Sequence, residues 1–195
     1  MKRTGTVTRQ TAETEIALTL NLEGSGCANI VTGIPFFDHM LTLFCVHGFF
    51  DLSIDAKGDI DVDYHHTVED IGLVLGEALN KALGDRKGIK RYGHAVTPMD
   101  ETLSEVSIDL SNRPFLVYNL PKKITSSGKF DAYLAKEFFR SFAVKGGMNL
   151  HINVKYGENE HHIIESIFKA MGRSLAQAVS FNPHMKGVLS SKGAL

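Results

Sequence analysis

The chain repeats itself. His65, His66 and Glu69, in "DVDYHHTVED", return 96 residues later as His161, His162 and Glu165, and the segments that follow keep register, with Ile71 on Ile167, Gly76 on Gly172, Leu79 on Leu175 and Ala82 on Ala178. An offset of 98 lays Phe44 on Phe142, Val46 on Val144 and Gly48 on Gly146, and an offset of 90 lays the first apolar strand on that of the third quarter. Small changes of offset between matched segments are what loop insertions leave in a duplicated unit. The expected architecture is one domain over 1–195 made of two repeats, about 1–90 and 91–195, a length that suffices for one sizeable core or two small fused ones.

Each repeat reads as strand, helix, strand, helix. Ile16, Leu18, Leu20 and Leu22 alternate as a half-buried strand, and "IPFFDHMLTLFCVHGFF" has helical spacing that ends near Gly48. "DLSIDAKGDIDVDYHH" reads as two short strands around Lys57-Gly58, and "TVEDIGLVLGEALNKALGD" as a helix closed near Gly84. Val106, Ile108 and Leu110, then "AYLAKEFFRSFAV", then "LHINVKYGENEHHIIESIFKAMGRSLAQAV", run the programme again. The fold class is α+β.

Both histidine pairs open a helix, and there the spacing has chemical content. Residues i and i+4 share a helix face, so His65 with Glu69, and His161 with Glu165, can each offer one nitrogen and one carboxylate to a single ion. The adjacent histidine points about 100° away around the axis, so His66 and His162 serve a second ion. Mixed imidazole and carboxylate ligation suits manganese, zinc or iron(II), and the lack of thiolate ligands argues against a structural zinc site. An isolated His-His pair reads more readily as surface or capping histidines; recurrence at matched positions turns the reading toward metal. A helix dipole favours glutamates in the first turn, which accounts for Glu69 and Glu165 but not for the histidines. His39, in "FFDHML", falls on Glu137 at the 98-residue offset; the pair are either further ligands or an ordinary helix-surface His and Glu, and the residues alone do not choose. His47, His94, His151 and His184 lack spacing partners and read as structural or solvated.

Several function classes are disfavoured. A net charge of −1 gives no field of one sign, so nucleic acid is not implied and an anion must be met by a local cluster. No segment approaches the roughly 20 apolar residues of a membrane span. Cys27 and Cys45 lack metal or disulfide spacing, and a cytoplasmic location is the default. No phosphate loop is present; the scattered candidate anion contacts are Arg91, Arg113, Lys169 and the terminal "SSKG" of Ser190, Ser191 and Lys192, each of which taken singly reads more readily as a solvated charge.

"FFDHML", "HHTVED", "NLHI", "HHIIESIFKA" and "SSKG", in this order and spacing, resemble imidazoleglycerol-phosphate dehydratase of histidine biosynthesis along essentially the whole chain, in its single-activity form. The resemblance implies two halves of a sheet plus two helices each, of the kind in ribosomal protein S5 domain 2, and trimers packed into a 24-subunit homo-oligomer. It implies two manganese ions, Mn(2+), per active site, one held by His39, His66, His161 and Glu165, the other by His65, Glu69 and His162. Glu137 stands where many members carry histidine, which leaves open direct ligation, ligation through water, or none. Glu13 matches an acidic substrate-site residue, and Arg91, Arg113, Lys169, Ser190, Ser191 and Lys192 match contacts to a small-molecule phosphate substrate.

The implied reaction explains a double site. The proton to be lost sits on a carbon bearing a hydroxyl and no adjacent carbonyl, so the imidazole ring must hold the electrons, and an ion at each ring nitrogen stabilises that charge. Loss of the neighbouring hydroxyl and of the next proton gives an enol that ketonises to imidazole-acetol phosphate. Glu13 is the leading proton-transfer candidate, and at the 90-residue offset it faces Leu103, an apparent break in the repeat. A metallohydrolase and a metal-storage shell are the rival classes.

Overall fold

The computed structural model of the protein describes residues 3–121, 128 and 130–193. In the first half, β1 (Thr4–Gln10), β2 (Thr14–Asn21), β3 (Ala28–Val31) and β4 (Asp51–Gly58) form a sheet in the order β1-β2-β4-β3, with α1 (Pro35–Gly48) between β3 and β4 and α2 (His65–Leu83) after β4. The second half does the same with β5 (Tyr92–Met99), β6 (Thr102–Asp109), β7 (Phe115–Asn119), α3 (Ala132–Gly146), β8 (Asn149–Tyr156) and α4 (Glu160–Val179), in the order β5-β6-β8-β7. β3 and β7 run parallel to β4 and β8 because a helix carries the chain across. The expected α+β duplication is the fold.

Each sheet buries one face. In β2, Thr14, Ile16, Leu18 and Leu20 point inward under α2, and β6 lies likewise under α4. The halves meet through their helices, α2 against α3 and α4 against α1. A Cβ on Gly76 would lie 2.7 Å from the Gly146 nitrogen, and one on its counterpart Gly172 would lie 2.4 Å from the Phe44 carbonyl oxygen. Glycine at the same place in both repeats lets the helix backbones touch. Phe138 stacks on Phe168, with centroids 5.4 Å apart, and Phe37 sets its edge against Phe138 at 5.2 Å. Phe138→Ala is expected to cost about 3–5 kcal/mol, the usual range for emptying a buried aromatic site, and to lower the midpoint of thermal unfolding.

Two expectations are corrected. The second short strand after Lys57-Gly58 does not form. The Asp59 carbonyl accepts from Val62 N at 2.8 Å, and Asp63 Oδ1 accepts from His65 N at 2.7 Å, so alternating "DIDVD" closes a turn and leads into the first residue of α2. Val62 finds no core and stays 71% exposed.

The offset between the first strands is 88, not 90. Leu20 pairs with Leu52 and Ile108 with Leu150, while Gly5 and Gly93, also 88 apart, press against Ala78 and Ser174, where a Cβ would sit 2.0 and 1.8 Å from the carbonyl oxygens. An error of two residues is one full strand period, so it leaves every inward residue inward. With the register corrected, Glu13 is matched not by Leu103 but by Glu101, and the repeat is unbroken there.

Candidate metal centre

Asn159 caps α4 by accepting from His161 N at 2.9 Å, which places His161 and Glu165 one turn apart on the same face. His161 Nε2 lies 3.1 Å from Glu165 Oε2, and His39 Nε2, brought in by α1, lies 3.7 Å from the same oxygen. Ligating atoms of these three residues all lie within 4.8 Å of one another. Glu165 is buried, and its other oxygen pairs with Lys169 Nζ at 2.6 Å. Burial works against its charge, but Lys169 and His161 outweigh it and hold the carboxyl below the ordinary range. Two nitrogens and an anionic oxygen converge with no thiolate nearby. That donor set fits a borderline divalent ion.

The other half has a related group. His65 Nε2 lies 3.3 Å from Glu69 Oε2 on α2, and Arg140 of α3 places Nη2 at 3.8 Å from Glu69 Oε1 and 2.6 Å from Glu137 Oε2. Glu137, buried on α3, thus takes toward α2 the position His39 takes toward α4. Arg140 engages its charge.

His66 and His162 turn away from these groups, their rings 80° and 81° from those of His65 and His161. His66 Nδ1 is 2.9 Å from Asp59 Oδ2, and its Nε2 is 3.8 Å from Glu13 Oε1. His162 Nδ1 is 2.6 Å from Glu101 Oε2, and its Nε2 is 3.7 Å from Asp100 Oδ2. Hydrogen bonds to Asp59 and to Glu101 raise the pKa of His66 and His162 respectively. Within one chain, therefore, His66 does not join His39, His161 and Glu165, and His162 bonds to Glu101 instead of to His65 or Glu69. Asp59, Asp100, Glu101 and Arg140 escaped the sequence reading. Only Glu101 had a signal there, through the 88-residue register.

The anion contacts also divide. Arg91, Arg113, Ser190, Ser191 and Lys192 line one pocket with Ser111 and Asn112, although about a hundred residues of chain separate its two ends. Arg91 grips Asp109 with both ends of its fork, Nε to Oδ1 at 2.6 Å and Nη2 to Oδ2 at 3.0 Å, and donates from Nη1 to the Leu189 carbonyl, which ties the C-terminal segment to the sheet. Arg113 and Lys192 are exposed and carry the pocket's available charge. Lys169 is not in this pocket; it belongs with Glu165. Of the remaining histidines, His94, His151 and His184 are exposed. His47 is partly buried, and burial together with Lys169 and Arg173 lowers its pKa.

Comparison with known proteins gives one answer. The family model of imidazoleglycerol-phosphate dehydratase matches residues 32–175. The chain is 62% identical over 195 residues to the imidazoleglycerol-phosphate dehydratase of Desulfosudis oleivorans, covering all of both chains. It is 58% identical to that of Syntrophobacter fumaroxidans, over 100% of this chain and 98% of the relative. Among solved structures, the dehydratase of Staphylococcus aureus superposes with a TM-score of 0.82 at 37% identity, covering 92% of this chain and 99% of that one. The enzyme of Pyrococcus furiosus, in complex with (S)-C348, superposes with a TM-score of 0.85 at 35% identity over 97% and 100%. No helix among the described residues is long and apolar enough to cross a membrane. On whole-length identity, matching fold and the family model together, this chain belongs to the imidazoleglycerol-phosphate dehydratase family of hydro-lyases.

Proposed function

We propose that the protein removes water from D-erythro-imidazole glycerol phosphate to give imidazole-acetol phosphate, a step of L-histidine biosynthesis in the cytoplasm, using two Mn(2+) ions per active site. The observation that carries this reading is the convergence of His39, His161 and Glu165 within 4.8 Å on a chain of this family. These three would hold one ion, and His65 with Glu69 the other. When bound, the ions supply the positive charge that lets an imidazole ring accept electrons. The chain's own residues do the rest. Arg113 and Lys192 fix the phosphate, with Arg91 holding their pocket in shape, and binding energy gathered there orients the reacting carbons. Glu13, exposed beside His66, is placed to move a proton.

Both ligand groups lack the histidine that the family pattern assigns to them, and this supports a homo-oligomer in which a second copy brings His66 to the trio and His162 to His65 and Glu69. Val31, Phe49, Phe115 and Phe181, each more than half exposed, are surface that association would cover. A 24-mer built from trimers is the assembly proposed. It is expected that His66→Ala and His161→Ala, each inactive alone, regain activity when unfolded together and refolded as a mixture. Random mixing would restore about a quarter of the sites, since a competent site needs the trio from one variant and His66 from the other. No recovery would mean that each site is built within one chain.

The direct test is turnover of imidazole glycerol phosphate by manganese-loaded protein, followed by the appearance of imidazole-acetol phosphate. Hydrolysis of generic phosphate esters with no dehydration would replace this reading by a metallohydrolase. Metal binding without any turnover would replace it by a storage role.

A further inference from the structure

His66 and His162 occupy the same place in the two repeats, and each has Nδ1 engaged by a carboxylate, yet the carboxylates come from different parts of the unit. Asp59 lies in the connection from β4 to α2, whereas Glu101 lies in the turn between β5 and β6. Loop length explains the difference. β4 ends at Gly58, where a Cβ would strike Thr67 Oγ1 at 2.0 Å, and β8 is followed by Gly157, where a Cβ would strike Thr102 Oγ1 at 2.5 Å and Ile163 Cγ1 at 2.9 Å. Ile163 is the counterpart of Thr67, so the two glycines are equivalent points. From there to the histidine pair the chain spends six residues, 59–64, in the first half but only three, 158–160, in the second.

The longer connection has room for a turn that carries Asp59 back to His66. In the shorter one, Glu158 and Asn159 donate their backbone N–H groups to Glu101 Oε1 at 3.2 and 2.9 Å, and the Thr102 hydroxyl donates to the same oxygen at 3.1 Å. Glu101 is thereby immobilised through one oxygen and gives the other to His162. Two unlike pieces of chain converge on the same contact at the same ring nitrogen.

We propose that Asp59 and Glu101 are positioning residues that fix the tautomer and ring orientation of His66 and His162, so that Nδ1–H is held by the carboxylate and Nε2 alone is presented as a ligand. The inference rests on the metal reading above. A neutral imidazole that donates from Nδ1 keeps its lone pair on Nε2, and a carboxylate behind a ligating imidazole makes the ring more basic and limits its rotation. The arrangement also sorts the duplicated acids. Glu101 is the repeat of Glu13 but is committed to a histidine, whereas Asp59 takes that duty in the first half and leaves Glu13 uncommitted.

The test uses full-length Asp59→Asn and Glu101→Gln proteins. Glutamine is chosen because it keeps an acceptor for the N–H groups at the start of α4. Manganese is titrated in by equilibrium dialysis with elemental analysis, and the unfolding midpoint of the metal-free protein is measured alongside. Each substitution is expected to weaken one of two ions by about 10–100-fold, the usual cost of losing such a partner. The other ion should keep wild-type affinity, the metal-free midpoint should be unchanged, and turnover should return at saturating manganese. Unchanged affinity for both ions in both variants overturns the proposal. A weakened ion accompanied by a matching fall in the metal-free midpoint also overturns it, by assigning these residues to the fold. Failure of the wild-type protein to bind manganese would instead remove the metal reading itself.

Discussion

His161→Ala is expected to lower turnover by roughly a thousandfold and to empty one of two metal positions. The magnitude follows from asking one ion to supply about 4 kcal/mol of charge stabilisation in the transition state. His161 is the better choice of the trio for this experiment because its side chain is 47% exposed and its ring meets other rings at the rim of the core, Phe36 edge-on at 5.0 Å and the histidines His39 and His162 at 6.3 and 6.2 Å. Its removal leaves the core whole. Glu165→Ala, by contrast, would strand Lys169, which is partly buried at 2.6 Å from the lost carboxylate, and would mix catalysis with stability. Metal content by elemental analysis, turnover, and the unfolding midpoint of metal-free protein decide the matter together. Chelation of wild-type protein should produce the same loss, reversible on adding manganese. Full turnover in His161→Ala protein that has lost the ion would end the metal mechanism.

What could be read from the sequence had a period, and what was missed had none. α1 to α4 and the central strands carry apolar residues at helical or alternating spacing. β1 buries only Gly5 and Val7, β3 is four residues long, and edge strand β5 contains Pro98, so these elements offer little pattern to find. The site divides on the same line. His65 with Glu69, and His161 with Glu165, were legible because one helix turn brings each pair together. Asp59 meets His66 through a turn, and Arg140 bridges α3 to α2, neither of which leaves a mark in spacing. The members of the anion pocket were legible only as scattered single charges, and resemblance alone grouped them, since Arg91 and Lys192 are joined by tertiary structure. Glu101 was hidden by an offset error of two, a whole strand period, which strand alternation cannot expose.

Glu13 has an acidic twin, so its chemistry does not rest on a break in the repeat; it rests on how the twins are engaged. Glu101 accepts from two backbone N–H groups, a hydroxyl and His162, and the hydrogen bond from His162 leads the causes that hold its carboxyl far below the ordinary range. A carboxylate so stabilised is a poor proton acceptor. Among the described residues Glu13 is hydrogen-bonded through its backbone, to Thr11 and Asp59, while its side chain stays exposed 3.8 Å from His66 Nε2. Glu13→Gln is therefore expected to keep both ions and near-normal substrate affinity, yet to lower turnover by roughly a hundredfold or more, the scale of a lost general acid or base. The change preserves shape and removes one charge, so loss of turnover with intact metal content isolates proton transfer. Glu101→Gln should separate from it, because its deficit is one of metal affinity and yields to excess manganese, whereas the Glu13→Gln deficit persists at any manganese concentration. Unchanged turnover in fully metallated Glu13→Gln protein would return Glu13 to the role of a solvated turn residue and pass the proton to a histidine.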